Sequence, residues 1–104
     1  MGYYTYHRLE VESGNGHLIK ELRKECEDAE YSFDDDGYCE QDSKWYDHQK
    51  DMKEFSEKHK DVLFTLYGEG ESSEDLWREY FWNGKSQLAE AVITYDEFDK
   101  EKLQ

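Results

Sequence analysis

An acidic run extends from Glu25 to Asp42, where nine residues are Asp or Glu and none is Lys or Arg. Clustered carboxylate oxygens are ligands that Ca²⁺ prefers, so an EF-hand loop is the first chemistry to consider. Aligned on Gly37 as the invariant glycine, the run places serines, Ser32 and Ser43, at the first and twelfth loop positions, and the twelfth requires a bidentate Glu. The spacing therefore favours a solvated acidic loop over an EF-hand, with a loose calcium site as the alternative.

Other residues that could do chemistry are poorly arranged for it. The chain has no CxxC and no HExxH spacing, which are typical of zinc sites. Glu69 with Glu71, and Glu74 with Asp75, could supply paired carboxylates for acid–base catalysis, but no nucleophile or pocket is marked near them. We therefore predict no catalytic residue, no metal site and no cofactor, and no enzyme activity.

The two cysteines, Cys26 and Cys39, lie 13 positions apart. A disulfide between them is geometrically possible, whereas two free thiols are the expectation for a reducing cytoplasm. The sequence has no apolar run near 18 residues, and its first residues alternate instead of forming the core of a signal peptide. We expect a soluble cytoplasmic protein.

The composition combines a high charge with many aromatic residues. A net charge of -14 over 104 residues is typical of disorder, but 16% of the residues are aromatic, and each aromatic side chain can bury about 150–250 Å². We therefore predict one folded domain spanning residues 1–104. Because the charge would repel phosphate, nucleic acid and anionic membranes are unsuitable partners, and a basic protein surface is the natural one.

Hydrophobic periodicity predicts the elements of the first half of the chain. Alternation predicts a strand, and three- to four-residue spacing predicts a helix on each side of the acidic loop. The loop itself has room for one short strand. The predicted elements are a strand over 3–12, a helix from 17 to about 31, a loop over 32–43 and a helix over 47–59 capped by Asp47.

The second half predicts a meander of strands. Gly68 and Gly70 are expected to leave room for a bulky side chain such as Trp77 or Trp82, and Asn83-Gly84 is typical of a type I′ hairpin turn. A polar tail with a short helical turn follows. The predicted elements are a strand over 62–71, a turn over 72–75, a strand over 76–82, a strand over 87–95 and the tail over 96–104. The order predicts an α+β fold with two helices on one face of a mainly antiparallel four-stranded sheet, with a fifth short strand as an option.

Several features within residues 44–85 carry a resemblance. They are Lys44-Trp45 before a helix, the run Asp61-Val62-Leu63-Phe64-Thr65-Leu66, and Gly84-Lys85 at the hairpin turn. In these the chain resembles small, mostly uncharacterised phage-encoded proteins and, more remotely, the YubB-type ferredoxin-like domain. The resemblance implies a ferredoxin-like fold and a phage origin, and it brings no active site with it.

Aromatic side chains are expected on the sheet face away from the helices. An RNA-binding sheet places stacking residues there, but this sequence has no basic patch to hold the phosphates. Tyr and Trp dominate the hot spots of protein interfaces, so a protein partner or a second copy of the chain fits better. The expected residues are Tyr4, Tyr6, Tyr67, Trp77 and Phe81.

The leading hypothesis is a small phage protein that inhibits a host defence system. Its acidic edge would mimic DNA and occupy a basic nucleic-acid-binding surface of the target, an anti-CRISPR-like role in the cytoplasm of an infected bacterium. The alternative is a non-enzymatic, homo-oligomeric phage accessory or structural protein whose aromatic sheet face is its interface. The candidate partner-binding residues are Glu21, Glu25, Glu27, Asp28, Glu30, Asp34, Asp35, Asp36, Glu40 and Asp42 on the edge, and Tyr4, Tyr6, Tyr67 and Trp77 on the sheet.

Overall fold

The computed structural model describes residues 3–72 and 74–104. Within them one antiparallel sheet has its four strands side by side in chain order, with three α-helices between the first two strands. The elements are β1 (Thr5–Val11), α1 (His17–Glu25), α2 (Glu27–Ser32), α3 (His48–Lys58), β2 (Phe64–Gly70), β3 (Leu76–Trp82), β4 (Lys85–Glu90) and a 3-10 helix (Lys100–Lys102). The predicted α+β fold with a four-stranded antiparallel sheet is confirmed. None of the helices described is long and apolar enough to cross a membrane.

The core lies between the helices and one face of the sheet. The strand register pairs Leu9 with Leu66 and Phe64 with Phe81, and these four buried side chains share one face. The helices cover that face with their apolar stripes, and fully burying each large side chain contributes about 1.5–3 kcal/mol. The helix residues in this core are Leu18, Ile19 and Leu22 of α1, Ala29 of α2, and Met52 and Phe55 of α3.

Placing all three helices between β1 and β2 gives the chain a simple connectivity. Helices on one face of an antiparallel sheet are the layer arrangement of a ferredoxin-like fold. In the usual ferredoxin-like order, β-α-β-β-α-β, the helices are shared between two crossovers. The likeness of this chain to that fold therefore lies in its layers rather than in the order of its elements.

The helix predicted over residues 17–31 is broken in two. Cys26 has an extended backbone, with φ -129° and ψ 110°, between α1 and α2. Its half-buried thiol faces α3, where Sγ donates to Asp51 Oδ2 across 3.6 Å. No Gly or Pro marks the break in the sequence, and the contact with α3 is tertiary. The prediction of one continuous helix from 17 to about 31 is therefore wrong, and Glu21 and Glu25 of α1 lie on a different helix from Asp28 of α2.

The acidic loop is ordered because it covers the outer edge of β1. Thr5 and Ser43 exchange two backbone hydrogen bonds of 2.9 Å, and the Leu9 N–H donates to the Gly37 carbonyl across 2.9 Å. Gly37 has φ 87°, and a Cβ there would overlap the Leu9 carbonyl, so this position requires glycine. Residues 32–43 contain isolated bridges, Thr5 to Ser43 and Phe33 to Cys39, instead of the optional fifth strand.

The hairpin between β3 and β4 turns where it was predicted. Asn83 and Gly84 both have positive φ, 51° and 81°, as a type I′ turn requires. The last strand, predicted over 87–95, instead begins at Lys85 and ends at Glu90. The Ala91 N–H still donates to the Leu76 carbonyl, but β3 begins at Leu76, so the residues that follow Ala91 have no strand to pair with. The predicted turn over 72–75 includes Ser73, which lies outside the described residues.

Candidate functional site

Three of the predicted edge carboxylates pair with Lys or Arg of the chain itself, and a fourth, Glu21, lies beside a histidine. Such exposed pairs contribute about 0–1 kcal/mol each, but they reduce the negative charge available to a partner. Two of the contacts have N···O distances of 3.5 Å, for Arg23 with Glu40, and 3.7 Å, for His59 with Glu21. The pairs are Arg23 with Asp35 and Glu40, Lys58 with Glu25, and His59 with Glu21.

Asp34, also predicted to bind a partner, stabilises the loop in which it lies. Its Oδ1 accepts from the backbone N–H of Asp36 at 2.9 Å and of Tyr38 at 3.0 Å. This local pattern is typical of an Asp that stabilises a turn. Among the predicted edge residues, Glu27, Asp28, Glu30, Asp36 and Asp42 form no ion pair within the described part of the chain.

A cluster of negative charge lies where the start of α2 approaches the start of α3. Glu27 and Asp28 at the start of α2 lie near Asp47 and Asp51 at the start of α3, and we call these four residues the acidic junction. Desolvation raises the pKa of the Asp28 carboxyl first, followed by the charges of Asp51, Glu27 and Asp47. Over residues 3–72 and 74–104, none of the four forms an ion pair with Lys or Arg. The junction is therefore an uncompensated negative site.

The sequence did not identify two of these four carboxylates as site residues. Asp47 was expected as a helix cap, and it is the N-cap residue of α3, but its side chain makes no capping hydrogen bond. Asp51 Oδ2 accepts from Trp45 Nε1 at 2.8 Å, which fixes its position. Because α2 and α3 are joined only through tertiary packing, no sequence spacing could have paired the two ends.

The sheet face away from the helices, which we call the open face, carries aromatic and arginine side chains. By register, Tyr6, Tyr67 and Tyr80 lie on it, so the prediction for Tyr6 and Tyr67 is confirmed. The guanidinium groups of Arg8 and Arg78 lie over the Tyr67 ring. Their central carbons are 3.8 Å and 4.9 Å, respectively, from the ring centre. A shallow depression of about 660 Å³ extends along this face.

Two of the expected open-face residues belong to the opposite face. Phe81 is fully buried in the core opposite Phe64, and Trp77 lies over Gly68 on the helix side. The predicted space at Gly68 for Trp77 is thus confirmed, whereas a Cβ at Gly70 would meet Asp75 and Tyr3 instead of a tryptophan. The predicted placement of Trp77 and Phe81 on the open face is wrong. Tyr4 precedes β1 and lies beside Lys44, whose Nζ is 4.8 Å from its ring centre.

The sequence analysis did not identify one buried carboxylate, that of Glu79, on the helix side of the sheet. Glu79 is 2% exposed, and its two oxygens face His48 Nε2 at 3.0 Å and Gln49 Nε2 at 2.6 Å. Glu79 alternates in phase with the half-buried Trp77 and the buried Phe81, and this phase was the available signal. A buried, fully paired carboxylate fixes the start of α3 on β3.

A Ser–His contact nearby does not have the properties of an activated nucleophile. Ser43 Oγ lies 3.2 Å from His7 Nδ1 and 2.6 Å from Ser32 Oγ, and both serines are buried. Burial, and then the charge of His48, lowers the pKa of His7 to about 4. An imidazole with that pKa is a weak general base at neutral pH.

No metal-binding group of three or more His, Cys, Asp or Glu side chains occurs in the part of the chain that the structure describes. Cys26, half-buried, and Cys39, exposed, are free thiols.

Comparison of the chain with known protein families, with curated proteins and with solved structures gives no match. The function of the protein is therefore inferred from its surface chemistry.

Proposed function

We propose that this protein is a non-enzymatic inhibitor that binds a basic, nucleic-acid-binding surface of another protein. The observation that carries the proposal is the acidic junction, where Glu27, Asp28, Asp47 and Asp51 meet without a Lys or Arg partner among the described residues. The net charge of -14 extends the same field around the molecule. Such a field steers basic partners to the surface.

The energetics favour a cationic partner at this place. Like charges on neighbouring helix positions cost a few tenths of a kcal/mol per pair. Desolvation is the main cause of the raised pKa of Asp28, and the charges of Asp51, Glu27 and Asp47 raise it further. Lys and Arg side chains that normally contact phosphates would remove the repulsion on binding. Exposed carboxylates of Glu30 and Asp36 extend the acidic surface away from the junction.

A more specific proposal concerns the biological role of this binding. An acidic mimic of DNA suits a phage protein that blocks a host defence effector, an anti-CRISPR-like role in the cytoplasm of an infected bacterium. This form depends on the resemblance of residues 44–85 to phage-encoded proteins. The acidic junction supports the charge chemistry of that role, and the identity of the target is what the experiment below determines.

Neutralising the junction is expected to abolish capture of the partner. The triple variant Glu27→Gln, Asp28→Asn and Asp47→Asn is compared with the wild type in a pull-down from bacterial lysate. Asp51 is left in place because it binds Trp45. A matched control with three neutralised exposed carboxylates elsewhere, Glu54→Gln, Glu74→Gln and Glu97→Gln, has the same net charge and should retain capture.

The same pull-down is repeated at two salt concentrations. Raising the salt from about 0.1 M to about 1 M shortens the Debye length from ~10 Å to ~3 Å and should release the captured protein. The expected captured protein is basic and binds nucleic acid. Capture that is insensitive to salt, or that the junction variant and the control retain equally, contradicts the proposal.

A second candidate function, self-association as a phage accessory or structural protein, is favoured by the segment after β4. Its apolar side chains are exposed, with Val92 at 88%, Tyr95 at 86% and Phe98 at 81%. Exposed apolar groups in such number are typical of an interaction site. The same segment is acidic at 96–97, and the open face offers the arginines Arg8 and Arg78 beside aromatic rings. We expect the segment after β4 of a second copy of the chain to bind this open face.

Removing residues 92–104 should therefore convert a concentration-dependent dimer into a monomer. Sedimentation equilibrium of the full chain and of the shortened chain measures this.

Arg78→Glu on the open face should weaken the dimer by about tenfold or more, because it places like charges opposite the acidic segment. Lys60→Glu, the same charge change at an exposed site outside that face, should leave it intact. A full chain that stays monomeric at all concentrations contradicts this candidate.

A further inference from the structure

The two outer edges of the sheet differ in how they are covered. The acidic loop covers the edge of β1 through backbone hydrogen bonds to Thr5 and Leu9. Along β4, residues 85–90 form no backbone hydrogen bond with any described residue outside β3. An uncovered strand edge is a template on which another strand can pair.

The free backbone groups of β4 belong to its even-numbered residues. The Ala91 N–H donates to the Leu76 carbonyl, so the odd-numbered residues point toward β3. Because successive backbone groups of a strand point in opposite directions, those of Ser86, Leu88 and Glu90 point outward. None of the three is a proline, so each offers an N–H and a carbonyl to a new strand.

The segment after β4 has the composition of a strand but no partner. Residues 91–95, Ala-Val-Ile-Thr-Tyr, are rich in β-branched and aromatic types, yet 91–99 belong to no helix or strand. Val92 and Tyr95 are almost fully exposed. The radius of gyration is 16.2 Å, against ~13 Å for a compact domain of about 100 residues, as expected for a segment that extends away from the sheet.

This segment cannot fold back onto β4 of its own chain without a tight turn at its start. The residues that favour such turns are Gly, Asn, Asp and Pro. Residues 91–95 contain none of them. A free strand edge and an unpaired strand-forming segment of one chain are therefore expected to meet between two copies.

We propose that two copies of the chain pair residues 85–99 antiparallel about a two-fold axis at Val92, which joins their sheets into one. In this dimer the segment of each copy bonds to the free edge of β4 of the other, as a symmetric interface requires. The proposal rests on the self-association candidate and places its segment at the β4 margin of the open face, where only Ala89 separates it from Arg78. It does not depend on the acidic junction.

The register follows from charge and side-chain size. Directly opposite residues of an antiparallel pair share a face and interact. The proposed axis gives no like-charge pair, and it places Lys85 opposite Asp99. An axis one residue later would place Glu90 opposite Asp96, and an axis one residue earlier would place two small alanines opposite each other. The pairs on the open face are Lys85 with Asp99, Gln87 with Glu97, Ala89 with Tyr95 and Ala91 with Ile93.

Amide hydrogen exchange of the ¹⁵N-labelled full chain, followed by NMR, tests the pairing directly. It is measured above and below the dimer dissociation constant that sedimentation equilibrium gives. In the dimer the outward amides of 86, 88, 90, 92, 94 and 96 should exchange about tenfold more slowly or slower still. The amides of Gln87 and Ala89 already bond to β3 and should change little.

Charge exchange tests the register. Lys85→Glu and Asp99→Lys should each raise the dissociation constant by about tenfold, because each variant makes the pair like-charged and the two-fold axis repeats it. The double variant should restore the wild-type dimer. Lys85→Glu combined with Glu101→Lys has the same net charge and should not restore it. All three side chains are exposed, so the fold of each copy should be kept.

A full chain that stays monomeric overturns the pairing together with the self-association candidate. A dimer in which the outward amides of 86–90 stay unprotected overturns the pairing alone, because the segment would then lie across the open face. A charge-exchanged double variant that stays as weak as the single variants also overturns it.

Discussion

Gly68→Ala is expected to lower the free energy of unfolding by about 2 kcal/mol. A Cβ at this position would overlap the Trp77 indole, which is already held between the sheet and the His48 ring. Alanine is better than glycine in a strand by ~0.5–1 kcal/mol. Overpacking costs about 1–3 kcal/mol, and a rigid indole places this site near the upper end of that range, so the loss exceeds the gain.

Urea denaturation measures the effect, and Gly16→Ala is the matched control. Gly16 has φ -58°, and a Cβ there would meet nothing within 4 Å. The control should therefore be neutral or stabilising by up to about 1 kcal/mol. If Gly68→Ala were as stable as the wild type, the packing of Trp77 over Gly68 would be contradicted.

The stability of the protein should fall by about 3 kcal/mol between pH 6.5 and pH 4 through His7 alone, at ~1.4 kcal/mol per pKa unit. Burial lowers the pKa of His7 from 6.5 to about 4 in the folded chain. In that interval the unfolded chain binds a proton that the folded chain does not. The contribution is therefore fully present above pH 6.5 and is lost as the pH falls toward 4.

His7→Phe should remove this pH dependence while keeping an aromatic ring against Trp45, with which the imidazole is T-shaped at 5.6 Å. Ser43 keeps its hydrogen bond to Ser32 in the variant. The quantity to measure is the difference in unfolding free energy between wild type and variant from pH 7 to pH 4, because carboxylate titration is common to both. His17→Phe changes an exposed histidine and should leave the slope unaltered. A slope that His7→Phe does not change contradicts the account of His7.

Local patterns were sufficient to predict most of the fold. Alternation located the strands, and Asn83-Gly84 located the hairpin, because both depend on residues close in sequence. Tertiary contacts decided the elements that were missed. Cys26 breaks a helix while its thiol meets Asp51 of another helix, and β4 ends at Glu90 because β3 has no further residue to pair with.

The candidate site was less predictable than the fold. Charge composition indicated an acidic surface, but it could not show that Arg23 and Lys58 neutralise part of it. The junction of Asp28 with Asp51 joins residues far apart in the chain, and the sequence carries no signal of that packing. The phase of Trp77 with the buried Glu79 was visible in the alternation of β3, so its position on the helix side could have been predicted.

The most direct test of the central claim is a competition measurement on the captured partner. Its binding to duplex DNA or to RNA is measured by fluorescence anisotropy with and without this protein, at about 0.1 M salt, where the Debye length is still ~10 Å. The wild type is expected to displace the nucleic acid. The variant with neutralised Glu27, Asp28 and Asp47 should not displace it. A ternary complex, in which the partner holds nucleic acid and this protein together, would contradict the claim.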